Sequence, residues 1–173
     1  MTTGPRRTAY VTRIEHFSAA HRLNSVHLSP EENLALFGKC NHTSGHGHNY
    51  KVEVTVKGQI DPQSGMVINI TDLKKTLQTA VMEPCDHRNL SSSWWPSSSS
   101  LEEHQRHLPT EEIVNSTDLS ISTIVAIQHS TTENLAVFLW ENIKEHLPPS
   151  TTYDLYEIKL YETDKNVVVY RGE

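Results

Sequence analysis

Apolar and polar residues alternate twice in the first third of the chain. The alternation is loose from Ala9 to Phe17. It is strict from Tyr50 to Lys57, with Tyr50, Val52, Val54 and Val56 on one parity and Lys51, Glu53, Thr55 and Lys57 on the other. Side chains of a strand repeat with period two, so both runs predict strands with one apolar face. Asp61-Pro62-Gln63-Ser64-Gly65 signals a turn after the second run, and Met66–Asn69 reads as a short strand extension. From Thr71 the spacing becomes helical, with Leu73, Leu77, Ala80 and Val81 on one side and Pro84 as the stop. A second helix opens at Ser130-Thr131-Thr132-Glu133, a capping-box pattern, and runs through Leu135, Phe138, Leu139, Ile143 and Leu147 to Pro148-Pro149. Tyr153–Tyr161 and Val167–Tyr170 flank Thr163-Asp164-Lys165-Asn166 and predict a hairpin. The order ββααββ implies an α+β domain, two helices covering one face of a four-stranded antiparallel sheet.

One stretch breaks this order. Residues 91–129 begin Ser-Ser-Ser-Trp94-Trp95-Pro96, pass through four more serines and reach Leu101-Glu102-Glu103-His104-Gln105-Arg106-His107. Connections this long are uncommon inside compact domains, and the serines predict a flexible loop. Leu101–His107 also fits a short helix, and Ile121–Ile127 reads equally as a strand or as an apolar lead into the second helix. With 173 residues, the whole of 1–173 is expected to form one domain around this insertion.

Charge and cysteine content narrow the class. The net charge of -6 speaks against a nucleic-acid surface, which needs a basic patch. No apolar run reaches the length of a membrane span, and Met1 to Tyr10 lacks the apolar core of a signal peptide. Two cysteines, Cys40 and Cys85, make no disulfide framework, so the chain reads as a reduced cytoplasmic protein.

The strict strand also carries chemistry. In Cys40-Asn41-His42-Thr43-Ser44-Gly45-His46-Gly47-His48-Asn49-Tyr50, His46 and His48 share the parity of Tyr50 and the valines. Two imidazoles delivered to an apolar face are costly unless something there uses them, and Zn²⁺ favours neutral imidazole. His21, just past the first strand run, is the third candidate ligand. Three histidines without a fourth protein ligand leave one coordination position open, which is the catalytic pattern.

Five motifs, in order, resemble the 6-pyruvoyl-tetrahydropterin synthase family of the animal type: F-S-A-A-H-R-L around His21, C-N-x-x-x-G-H-G-H-N-Y at 40–50, D-H-x-N-L at 86–90, S-T-T-E-N at 130–134 and Y-E-T at 161–163. The resemblance spans 10–90 and 130–173, and 91–129 is longer than the connection usual in the family. It implies a zinc enzyme that converts 7,8-dihydroneopterin triphosphate to 6-pyruvoyl-tetrahydropterin in tetrahydrobiopterin biosynthesis, releasing triphosphate. One Zn²⁺ per subunit is implied, and Mg²⁺ can accompany the triphosphate. The implied architecture is the tunnelling fold, in which sheets join into a trimeric barrel and two barrels stack as a homohexamer. No nucleic acid or membrane partner is implied.

The same resemblance matches Cys40 to the proton acceptor and Asp86-His87 to a second acid/base group. It matches Glu162 to the anchor of the pterin 2-amino and N3–H edge and to part of the proton relay. Thr131, Thr132 and Glu133 match ring contacts, a role compatible with capping the helix. Cys85 matches no family role and reads as packing. Two alternatives stay open: a 6-carboxy-tetrahydropterin synthase-like enzyme, which has fewer residues between its Cys and H-G-H, and a non-catalytic isoform disturbed by 91–129.

Overall fold

The computed structural model describes residues 7–91 and 130–173. The expectations for Leu101–His107 and Ile121–Ile127 lie outside the described residues. Strand β1 (Thr8–His21) pairs antiparallel with β2 (His46–Gln59) along its whole length, β2 pairs with β4 (Tyr153–Tyr161), and β4 with β5 (Val167–Tyr170). The hairpin has the predicted bounds. Both early strands run longer than their alternating cores, and β1 reaches His21 itself.

The expected four-stranded sheet is corrected to five, in the order β3-β1-β2-β4-β5. The extra strand β3 is only Arg88–Asn89, lying parallel to Ala19 and Ala20. Two exposed polar residues have no periodicity, which is why the pattern missed them. Met66–Asn69 is not a strand. It leaves the sheet and buries Val67 and Ile68 against the core.

The helical layer also differs from expectation. Helix α1 (Pro30–Phe37) has a capping box, Ser29 Oγ accepting from the Glu32 N–H and Glu32 accepting from the Ser29 N–H. It was overlooked because Leu34 and Leu36 are exposed and Asn33 is its buried residue. Helix α2 (Ile70–Leu77) continues as a wider π turn (Gln78–Met82) into the short α3 (Glu83–Cys85). Pro84 therefore lies inside the helical run rather than ending it. A proline cannot donate to the carbonyl four residues back, and the Ala80 C=O accepts instead from Asn142 Nδ2 at 2.7 Å. Helix α4 (Thr132–His146) begins where expected, but its cap is Thr131, accepting from the Asn134 N–H, and Glu133 sits exposed in the first turn.

Tyr50, Val52, Val54 and Val56 of β2 are fully buried beneath Leu73 and Leu77 of α2 and Leu135, Leu139 and Ile143 of α4. No described helix is long and apolar enough to cross a membrane. Truncation at the helix–sheet seam gives a direct test. Ile143→Ala should cost about 2–5 kcal/mol and Ile143→Val only about 0.5–1.5 kcal/mol in urea unfolding. Equal midpoints for the two variants would contradict this packing.

Candidate metal centre and active site

The β1–β2 register assembles the centre. His21 lies opposite His46, and Ala19 lies opposite His48, so three imidazoles meet at the end of the ladder on its buried side. His21 Nε2 is 3.0 Å from His46 Nε2, and one ligand nitrogen from each ring fits within 4.8 Å of the others. Gly45 makes the tight entry into β2. Its φ of 66° suits glycine, and a Cβ there would stand 2.8 Å from the His21 carbonyl oxygen.

The donor set suits a soft-borderline cation. His48 Nε2 and His46 Nδ1 are buried without a hydrogen-bond partner. His21 Nδ1 donates to the Ser130 C=O at 2.7 Å, which fixes the tautomer and leaves Nε2 unprotonated, its lone pair facing His46 Nε2 at 3.0 Å. Burial is the main cause that lowers the pKa values of His21 and His46 from 6.5, favouring the neutral form a metal needs. Beneath the rings, Tyr50 is fully buried and stacks on Phe17 at 5.0 Å, and burial pushes its phenol pKa up.

Glu162, one residue past β4, completes this cluster from the same chain. Its Oε1 lies 3.7 Å from His48 Nε2 and 3.8 Å from His21 Nε2, and it accepts from Thr132 Oγ1 at 2.9 Å. Thr132 thus joins the cluster, whereas Thr131 caps α4 and Glu133 points to solvent.

The remaining predicted residues stand apart. Cys40 is half-buried in the 3-10 turn Gly38–Asn41 that follows α1. Asp86 leaves α3 in an extended conformation, its Oδ1 accepting from the Ser18 N–H at 3.0 Å. That bond, reinforced by His87, holds the Asp86 carboxyl below its usual range. His87 turns back with φ of 57°, so its Nδ1 reaches Asp86 Oδ2 at 2.9 Å. Neighbours on a straight strand would point apart. Among the described residues, no hydrogen bond or ion pair links Cys40 or the Asp86–His87 pair to the imidazoles. An open groove lined by Ser18, Gly47, His48, His87 and Arg88 does place His48 and His87 on one surface. Cys85 is buried and its thiol is pushed up to about 12, which excludes it as a base near neutrality.

Sequence reasoning missed the Ser130 carbonyl and the Tyr50 hydroxyl, which is buried beneath the rings without a hydrogen-bond partner. Tyr50 could have been found, since it shares the parity of His46 and His48. Ser130 stands 109 residues from His21, beyond any local pattern.

A family model described as 6-pyruvoyl tetrahydropterin synthase matches residues 10–173. The chain is 46% identical over 170 residues to the 6-pyruvoyl tetrahydrobiopterin synthase of Homo sapiens, covering 98% of this chain and 96% of the human protein. It is 48% identical over 167 residues to that of Poecilia reticulata, covering 96% and 92%. The solved structure of the Caenorhabditis elegans 6-pyruvoyl tetrahydropterin synthase matches with a TM-score of 0.72 at 33% identity, covering 97% of this chain and 98% of that chain. With this fold and these residues in place, the chain belongs to the 6-pyruvoyl tetrahydropterin synthase family.

Proposed function

We propose that the protein converts 7,8-dihydroneopterin triphosphate to 6-pyruvoyl-tetrahydropterin. The observation that carries this reading is the convergence of His21, His46 and His48, with buried unpartnered nitrogens, beside Glu162. These imidazoles would hold Zn²⁺, which as a Lewis acid would acidify the C–H bonds beside the two side-chain hydroxyls.

The chain's own groups then move protons. Glu162 accepts from the 2-amino and N3–H edge of the pterin, two adjacent donors that suit a carboxylate. Cys40 takes the carbon-bound proton. When C1′ loses its proton, a C1′–C6 double bond forms and the C6–N5 π pair takes a proton at N5. The resulting C1′ enol then takes a proton at C6 and becomes a carbonyl, so the side chain is oxidised as the ring is reduced. Loss of the C2′ proton expels triphosphate from C3′ and leaves an enol whose keto form is the pyruvoyl group. No external oxidant is required. Asp86 orients His87 by holding its Nδ1, which leaves Nε2 as the nitrogen that gives and takes a proton.

The five residues between Cys40 and His46 favour this reading over the 6-carboxy-tetrahydropterin synthase-like alternative. Against a non-catalytic isoform stands the anchoring of the long connection: the hydroxyls of Ser91 and Ser130, which flank 92–129, lie 2.7 Å apart. Added length between ends already joined costs little, since loop entropy grows only logarithmically.

Self-association fits the sheet. Strand β5, with Val167 and Val169 about half exposed, has no outer strand partner among the described residues. Free edges of this kind are an aggregation hazard that barrel closure removes. A homohexamer built as a dimer of trimers in the cytoplasm is the assembly proposed.

His48→Ala is expected to remove most bound zinc together with turnover. Full zinc occupancy in that variant would refute the ligand set. Cys40→Ala is expected to keep zinc and substrate binding but lose kcat, whereas Glu162→Ala should also weaken substrate binding. Near-normal kcat in Cys40→Ala would rule out the thiol as proton acceptor. Light scattering at micromolar concentration should give a hexamer, and a stable active monomer would overturn the assembly.

A further inference from the structure

His21 ends β1, and Cys40 sits in a turn that belongs to no strand, so the sheet register does not set the distance between them. Two side chains, Arg22 and Asn41, and one backbone bond tie the two segments together. The Arg22 guanidinium donates from Nε to the Asn41 C=O at 2.8 Å and from Nη2 to Asn41 Oδ1 at 3.4 Å. Asn41, itself buried, returns Nδ2 to the Leu23 C=O at 2.7 Å and to Asn24 Oδ1 at 3.0 Å. The Leu23 N–H closes the clasp by donating to the Cys40 C=O at 2.9 Å. The residue after His21 thus grips the residue after Cys40.

The backbone of Arg22 is fixed as firmly. Its N–H donates to Ser91 Oγ at 2.7 Å, and its C=O lies 3.1 Å from Ser91 Oγ and 3.2 Å from Ser130 Oγ. Ser130 is the residue whose carbonyl orients the His21 ring. Among the described residues, no carboxylate lies within ion-pair distance of Arg22. Its Nε and Nη2 both donate to Asn41, in a two-pronged geometry that a lysine ammonium cannot reproduce.

We propose that Arg22 is a positioning residue, holding the Cys40 turn at a set place relative to the His21 end of β1. This deepens the proposed function and rests on its assignments of Cys40 and His21. Proton abstraction depends steeply on placement, and a displacement of about 1 Å can cost roughly 100-fold in rate. Asn41 acts as the socket. Neither residue touches substrate in this role.

The test uses the zinc-loaded full chain carrying Arg22→Ala or Arg22→Lys, with zinc content, kcat, KM and the alkylation rate of Cys40 measured together. Cys85 is buried and serves as an unreactive internal control. Arg22→Ala should keep its zinc and a KM near that of the parent, lose roughly 10- to 100-fold in kcat, and alkylate several-fold faster at Cys40. Arg22→Lys should show the same split at smaller amplitude, and it carries the test if the alanine variant does not fold. A kcat within about twofold of the parent, or zinc lost in step with activity, overturns the positioning role. Cys40→Ala, measured alongside, separates the two readings. If it turns over normally, the Cys40 assignment fails and the Arg22 role falls with it. If it is inert while the Arg22 variants are normal, only the Arg22 role fails.

Discussion

The antiparallel ladder between β1 and β2 sets opposite one another the residues on which the candidate metal centre depends. Its register pairs His21 with His46 and Ala19 with His48. Because strand side chains alternate, a slip of one residue would carry His46 and His48 to the other face, away from His21. The register is pinned along β2 by Tyr50, directly beneath the rings, and by Val52, Val54 and Val56 beyond it, all fully buried under the helices. The same apolar pattern that builds the core therefore also aligns the imidazoles, and the hydrophobic effect does the positioning.

Burial has a second consequence at the ladder's end. His21 is almost wholly enclosed, and an isolated imidazolium there would be costly. Burial keeps the ring neutral, and the Ser130 carbonyl takes its Nδ1–H, so the remaining nitrogen presents a lone pair toward His46 and His48. Glu162 supplies the opposite charge nearby without replacing a ring as hydrogen-bond partner, being held by Thr132. The cluster is consequently poised for a cation rather than for a proton.

Much of this could be read from the chain. Parity alone placed His46 and His48 on the buried face, and the hairpin of β4 and β5 followed from alternation around Thr163–Asn166. What escaped had physical reasons. Helix α1 buries an asparagine and exposes its leucines, the inverse of an amphipathic stripe. Pro84 was read as a stop, but Asn142, from α4, supplies the donor that the proline lacks. The Ser130 support for His21 and the Arg22 clasp on Asn41 are contacts between segments distant in sequence, set by tertiary packing that periodicity does not encode.

The structure divides labour between rigid and adjustable parts. The candidate ligands sit at the ends of two long paired strands, whose ladder runs back from the site without a break, and a metal tolerates little displacement of its donors. The groups proposed to handle protons sit on turns: Cys40 in a 3-10 turn, Asp86 and His87 at a helix exit with a left-handed backbone at His87. Turns lack a repeating ladder, so single backbone bonds, Leu23 N–H to the Cys40 C=O and His87 N–H to the Ser18 C=O, act together with side-chain contacts. The Asp86 carboxylate on the Ser18 N–H anchors one turn to β1. Arg22, on the segment that follows β1, anchors the other through Asn41. Both anchors refer the turns to the strand that carries His21, so the groups proposed to handle protons keep station with the candidate ligands although, among the described residues, no direct bond joins them.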